Sequence, residues 1–307
     1  MKESLPLSDL INNTKESTGL NHLKKPDWLK VKLPSHENYF QVAELLKAGG
    51  LHTICQSAHC PNIGECWERK TATFLILGDI CTRNCAFCAV NKGKPQPVND
   101  QEPEAVLQAV RKMELRYVVI TSVTRDDLPD GGASIFARTI KIIKENLPDT
   151  KVEVLIPDFQ GKEGPLQTVL EAGPDVLNHN LETTLSLYPK INRPAANYYR
   201  SLQVLNRASQ FGAITKSGLM VGLGETEVDL KQALIDLREN GCQLLTIGQY
   251  LQPSPHHAPV ARYYHPEEFI RLRQLALELG FKEVVSGPLV RSSYFADQLF
   301  KSIRSNN

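Results

Sequence analysis

Apolar, β-branched-rich runs recur through the middle of the chain at residues 74–80, 117–123, 152–156, 176–181, 216–223 and 244–251. Such short runs predict buried strands. Between them, apolar residues at helical spacing with polar interruptions cover 103–115, 133–146, 198–211 and 227–240. Gly212 and Gly241 follow two of these stretches, where a helix C-terminus accepts a left-handed residue. About six strand-helix alternations imply parallel strands joined by right-handed crossovers. The pattern suits either a (β/α)6 partial barrel or an open doubly wound sheet.

The flanks differ in character. Residues 1 to about 50 are mixed and polar and predict an extended arm with a short helix near 38–47; residues 282–307 predict a last strand and a terminal helix. Neither flank could fold alone, so both are expected to wrap the central unit. This gives an N-terminal extension (1–70), a strand-helix body (71–281) and a C-terminal extension (282–307). The 35 Lys plus Arg against 34 Asp plus Glu leave a net charge of +1, which supplies no global field to recruit nucleic acid or an anionic membrane. With no apolar stretch of eighteen residues and no cleavable leader pattern, the expected location is the cytoplasm, where thiols stay reduced.

The thiols change the picture. Six of seven cysteines fall in one window as two trios, Cys55, Cys60, Cys66 and Cys81, Cys85, Cys88. The second, GDICTRNCAFCAV, is a CxxxCxxC run just after the first predicted strand. Three closely spaced thiolates can hold three corners of a [4Fe-4S] cube, which normally takes four, so one iron is left open for a small ligand. A structural zinc site, the competing reading, favours four ligands and CxxC-type pairs. A disulfide framework suits small secreted domains, not a chain of 307 residues. The first trio has different spacing and suggests a second cluster that also lacks a fourth cysteine. Cys242, at the entry to an apolar run, reads as a small buried hydrophobe.

CTRNCAFC resembles the signature of the radical S-adenosylmethionine (SAM) enzymes. Taken together, CQSAHCPNIGECW, GDICTRNCAFCAV, DDLPDGGA, VEVLIPDF, DVLNHNLET, SGLMVGLGET, GQYLQPS and the terminal RSSY resemble the lipoyl synthase family over most of the chain, from about residue 26 to 296. The resemblance implies the partial (β/α)6 TIM-type barrel rather than the doubly wound sheet. It also implies two [4Fe-4S] clusters: one on Cys81, Cys85 and Cys88, whose open iron chelates the amino and carboxylate groups of SAM, and an auxiliary one on Cys55, Cys60 and Cys66. The fourth auxiliary ligand would be a serine of RSSY, here Ser293, with Ser292 as the alternative. Phe87 matches the aromatic position near the adenine.

Gly218, Met220, Gly222 and Glu225 resemble the family's GxIxGxxE pattern, with methionine in place of isoleucine, where glycine lets a strand backbone approach the adenine. Asn178, Asn180 and Glu182 alternate along a predicted strand and so share a face. Similarity to biotin synthase, a relative, implies that Asn180 and Glu182 hold the SAM ribose and Arg193 its carboxylate. His179 points the other way and is expected to pack.

The resemblance further implies the reaction. A 5'-deoxyadenosyl radical made from SAM removes hydrogen from C6 and then C8 of an octanoyl group on a carrier lysine. Sulfur from the auxiliary cluster is inserted at each carbon. The implied partners are octanoylated carrier domains (2-oxoacid dehydrogenase acyltransferase subunits and the glycine-cleavage H protein), a low-potential electron donor and an iron-sulfur carrier that rebuilds the spent cluster.

Overall fold

The computed structural model describes residues 23–31 and 34–305; the first 22 residues of the expected arm lie outside them. In chain order the strands are β1 (His52–Thr53), β2 (Thr73–Ile76), β3 (Ile80–Cys81), β4 (Asn91–Lys92), β5 (Tyr117–Ser122), β6 (Lys151–Leu155), β7 (Val176–Asn178), β8 (Thr215–Val221), β9 (Leu244–Gln249) and β10 (Glu283–Gly287). Eight of them make one sheet in the order β1-β2-β5-β6-β7-β8-β9-β10, while β3 pairs only with β4. Each junction from β2 to β10 is parallel, and β1 lies antiparallel on β2. Spatial order equal to chain order is that of a barrel wall; a doubly wound sheet reverses. The α/β partial-barrel expectation holds, with β10 from the C-terminal stretch added as a seventh parallel strand.

The helices are α1 (Glu37–Ala48), α2 (Ile54–Ser57), α3 (Ile63–Glu68), α4 (Glu102–Lys112), α5 (Ala133–Asn146), α6 (Glu163–Glu171), α7 (Ala196–Gln210), α8 (Glu227–Glu239), α9 (Pro266–Glu278) and α10 (Ala296–Ser305). Each apolar helix face packs on the sheet: Val106, Val110, Phe136 and Ile140 join Phe74, Ile76, Val118 and Val154 in one core, and Leu230, Leu234 and Phe269 join Leu219, Leu245 and Ile247 in another. Gly212 and Gly241, at φ 94° and 79°, end α7 and α8 as the pattern requires.

Two expected strands are shorter than their apolar runs. The run at 74–80 stops at Ile76 because Leu77 and Gly78 turn through φ 68° and 87°. That turn is held by Glu102 Oε2, which accepts from the Leu77 N–H at 2.7 Å, and by Arg125 Nη1, which donates to the Leu77 carbonyl at 3.3 Å. The run at 176–181 stops at Asn178. Beyond it the chain leaves the ladder but stays against β8: His179 N–H donates to the Lys216 carbonyl, Leu181 N–H donates to Ser217 Oγ, and Glu182, at φ 73°, donates its N–H to the Gly218 carbonyl while its own carbonyl accepts from the Met220 N–H.

The starting ends of the strands are closed from within and below. Lys216 Nζ and Glu153 form a fully buried ion pair at 2.8 and 3.1 Å, and Tyr117 and Asn178 also donate to the same carboxylate. Under this layer, Leu299, Phe300 and Ile303 of α10 pack on Val176 and Leu244, the first residues of β7 and β9, with Phe300 5.6 Å from Tyr117. Sequence reading placed α10 as a helix but not as a floor.

Candidate functional site

The CxxxCxxC loop leaves the barrel through β3 and is held by loops that follow four other strands. Thr82 N–H and Oγ1 both donate to the Thr124 carbonyl, beyond β5. Arg83 makes a two-pronged pair with Asp126 at 2.7 and 2.9 Å and reaches Asp158, beyond β6, at 2.6 Å. The Arg83 guanidinium holds the fully buried Asp158 carboxyl well below the usual carboxylate range, against the opposing effect of burial. Ala86 N–H donates to Ile191 and Asn192 Nδ2 to Asn84, both in the segment after β7. After β9, Ala258 N–H donates to Ala86, and a ring nitrogen of His257 lies 3.0 Å from the Cys88 carbonyl. Many fixed backbone groups on a short loop orient Cys81, Cys85 and Cys88 before any ligand arrives.

The first trio is built differently. Thr53 caps α2, which carries the buried Cys55, and His59 at φ 50° ends that turn so that Cys60 N–H returns to the Cys55 carbonyl. Cys66 follows on α3. Cys55, Cys60 and Cys66 line one cavity with Asn62, Thr73, Arg291 and Ser293. The RSSY segment, more than 220 residues along the chain, is therefore folded against this trio. Asn62 Nδ2 donates to the Leu289 carbonyl at 2.7 Å, the Tyr294 hydroxyl donates to Glu65 at 3.0 Å, and the Arg69 guanidinium sits 4.3 Å from the Phe295 ring centroid.

Consecutive residues of that segment face opposite sites. Ser292 Oγ is 2.8 Å from Asn180 Nδ2 and 3.0 Å from Asn180 Oδ1, while Ser293 Oγ accepts from Thr73 Oγ1 at 2.8 Å beside the auxiliary trio. Glycines make room for the crossing. A Cβ on Gly248 would collide with the Val290 carbonyl, and one on Gly218 would stand 2.7 Å from Asn180 Oδ1 and 3.0 Å from Ser292 Oγ. The close approach at Gly218 is thus to Asn180 and Ser292, which periodicity does not reveal.

The other residues singled out from sequence divide into two groups. Asn180, Glu182 and Arg193 gather near the CxxxCxxC loop: burial raises the Glu182 carboxyl, opposed by the Arg193 charge and an Asn180 hydrogen bond. Arg193 also acts on Cys85, is nearly buried, and leaves its Nε without a partner among the described residues. Phe87 sits half-buried between the last two cysteines of the loop. In the second group, Glu225 turns back on its own loop and accepts from the Gly222 and Leu223 N–H groups at 2.6 and 2.9 Å. Gly222, at φ 99°, lies where a side chain would strike Gln249 and the Arg262 carbonyl; Met220 is half-buried on β8. Asn178 is spent on Glu153, below this level. His179 is packed as expected, its ring nitrogens 2.8 Å from the Ile156 carbonyl and 3.0 Å from Ser201 Oγ, and Cys242 is wholly buried with its thiol on the Leu244 carbonyl.

The donor set fits two iron-sulfur cubes. Burial pushes the Cys55 thiol up to about 11 and the Cys66 and Cys88 thiols up to about 12, and raises Cys60 and Cys85 as well. Bound iron would remove those protons and supply the countercharge that the thiolates need. Arginines stand ready for the residual negative charge: Arg291 by Cys60, Arg69 by Cys66, Arg193 and Arg83 by Cys85. Arg291 has no carboxylate partner among the described residues; its Nη1 donates only to carbonyls. The buried indole N–H of Trp67 likewise has no partner at hydrogen-bond geometry and faces Cys55, whose thiolate it stabilises. Among the described residues no three Cys, His, Asp or Glu side chains gather closely enough to grip a single ion, whereas a cube spreads its ligands over separate irons.

Residues 75–237 match the family model of the radical SAM superfamily. The fold is similar to that of Streptococcus suis SuiB bound to S-adenosylmethionine, with a TM-score of 0.53 at 10% identity over 71% of this chain and 50% of that one. SuiB bound to its precursor peptide SuiA gives 0.55, also at 10% identity, over 80% and 54%. The chain belongs to the radical SAM superfamily. Its sequence relatives narrow the assignment. Lipoyl synthase of Rubrobacter xylanophilus is 53% identical over 91% of this chain and 88% of that protein, and lipoyl synthase of Caldicellulosiruptor bescii is 55% identical over 91% and 96%. Within the superfamily, the chain belongs to the lipoyl synthase family.

Proposed function

We propose that this chain inserts two sulfur atoms, at C6 and C8, into an octanoyl group held in amide linkage on a carrier-protein lysine. Its cofactors are two [4Fe-4S] clusters, with SAM as cosubstrate. When bound, these groups supply the deoxyadenosyl radical that removes hydrogen and the sulfide that replaces it. Cys81, Cys85 and Cys88 hold the cluster that meets SAM; Cys55, Cys60, Cys66 and Ser293 hold the auxiliary one.

The observation that carries this reading is the opposite facing of Ser292 and Ser293. A single short segment touches Asn180 on the SAM side and closes the cavity of the first trio on the other, so a substrate chain lying between them meets both. Holding reacting atoms in near contact replaces collision with fixed geometry, and excluding water limits side reactions of a primary radical. Arg193, whose Nε has no partner among the described residues, takes the SAM carboxylate in this reading; Asn180 and Glu182 take the ribose hydroxyls, and Phe87, Gly218, Met220 and Gly222 flank the adenine. Glu225 shapes the loop after β8 through two of its own amides.

A lipoyl-carrier protein is the substrate. Acyltransferase subunits of 2-oxoacid dehydrogenases and the glycine-cleavage H protein are the expected carriers, with a low-potential reductant and an iron-sulfur carrier that restores the auxiliary cluster. The proposed divisions are 1–70, with the auxiliary cysteines, 71–281, the SAM-binding barrel, and 282–307, the C-terminal extension with RSSY. No described helix is long and apolar enough to cross a membrane, and the cytoplasm is the proposed location. Anaerobically reconstituted protein, given SAM, a strong reductant and an octanoyl-lysine peptide, should release 5'-deoxyadenosine and yield a dithiolated peptide. Deoxyadenosine with an unchanged peptide mass would keep the radical enzyme and overturn the substrate.

A further inference from the structure

Thr73 opens β2, and the antiparallel pairing of Thr53 with Phe74 sets it directly across from the turn that delivers Cys55. Its backbone N–H is directed at the Cys55 sulfur. The residue is 4% exposed, and its hydroxyl makes a single hydrogen bond among the described residues, to Ser293 Oγ at 2.8 Å. One buried residue thus addresses two of the four auxiliary ligands, a sulfur through its backbone and an oxygen through its side chain.

We propose that Thr73 is the positioning residue of the serine ligand: its hydroxyl donates to Ser293 Oγ and makes that oxygen the first ligand to leave. The inference rests on the assignment of Ser293 as an iron ligand. A serine bound to iron is an alkoxide, and an O–H donor to an anionic oxygen makes a short, strong hydrogen bond. The bond draws charge from the oxygen and weakens its hold on iron. The N–H groups aimed at Cys55 and Cys60 act on softer sulfur and leave those bonds firmer. In the release step the iron–oxygen bond breaks with its electron pair on oxygen. Serine then takes a proton from water and the hydroxide left behind takes the vacated position on iron, with no change in oxidation state.

The test follows iron leaving the reconstituted full chain. A ferrous chelator is added to anaerobic holoenzyme held with SAM and no reductant, so that the open iron of the other cluster is covered. Thr73→Val keeps the branched shape on the strand and removes the donor; it should slow the chelator-dependent loss of auxiliary iron about tenfold, the equivalent of one hydrogen bond to a charged group. Thr73→Ser should restore the native rate, and Ser293→Ala should exceed it. A merely structural role predicts the opposite sign, because a loosened site loses iron faster. Thr73→Val at or above the native rate, with Ser293→Ala faster still, would overturn the role of Thr73 and leave Ser293 standing. A native rate in Ser293→Ala would remove the serine assignment and this inference with it.

Discussion

At the scale of single residues, the two adjacent serines give the sharpest contrast. Ser293→Ala should leave deoxyadenosine production from SAM largely intact while lipoyl product falls by an order of magnitude or more, since only the auxiliary site loses a ligand. Ser292→Ala should instead keep the auxiliary iron and raise the KM for SAM, because its partner is Asn180. Equal behaviour of the two variants would dissolve the distinction. His179 makes a prediction of another kind. Burial holds its ring neutral, down to about 4 from 6.5, with the Ile156 carbonyl and the Asp158 charge opposing and the Arg193 and Arg83 charges assisting. The unfolded chain therefore takes up a proton that the fold refuses between those values, and stability falls as pH drops through that window. At pH 5 the loss is about 2 kcal/mol relative to neutrality. Unfolding free energies from urea titrations at pH 7 and pH 5 should differ by that amount and draw together in His179→Gln, whose side chain does not titrate.

Secondary-structure elements decide where the cysteines are presented. The turn between β2 and β3 carries the chain from the wall to Cys81, and it packs under the glycines of DDLPDGGA: a Cβ on Gly132, at φ 89°, would strike Leu77. Gly132→Ala should cost about 2–3 kcal/mol, from strained backbone plus overpacking. It should also lower iron retained on the CxxxCxxC loop, read as SAM cleavage per chain; unchanged stability would show that Leu77 simply moves aside. What was legible in the sequence follows the same division. Strands fully buried by their neighbours announce themselves as apolar runs, so β5, β6, β8 and β9 fall within two residues of expectation. The ends of the runs at 74–80 and 176–181 did not, because Leu77 and Glu182 adopt positive φ under the grip of Glu102, Arg125 and the β8 backbone, and those contacts are distant in sequence. Thiolate spacing is local, so both trios could be read. The Thr73–Ser293 and Asn62–Leu289 contacts span 220 and 227 residues and leave no local pattern.

Across the whole molecule, the chain joins its beginning to its end over the barrel. β1, α2 and α3 bring the first trio to one edge of the sheet, and the segment after β10 crosses from Gly248 past Gly218 to Thr73 before α10 turns under the strands. RSSY is therefore tethered twice, by β10 before it and by the floor contacts of Leu299, Phe300 and Ile303 after it. The CxxxCxxC loop depends on neither tether; its anchors are Thr124, Asp126, Asp158, Ile191 and Ala258. Weakening α10 should consequently separate the two half-reactions. Leu299→Ala removes a buried side chain at a cost of about 2–5 kcal/mol, and much of that loss falls on the docking of the terminal segment. The expected result is iron falling from about eight toward about four per chain, with deoxyadenosine still formed and little dithiolated peptide. If SAM cleavage and sulfur insertion instead decline in proportion, the barrel and the terminal segment fold as one unit, and the floor stabilises the SAM site as much as the auxiliary one.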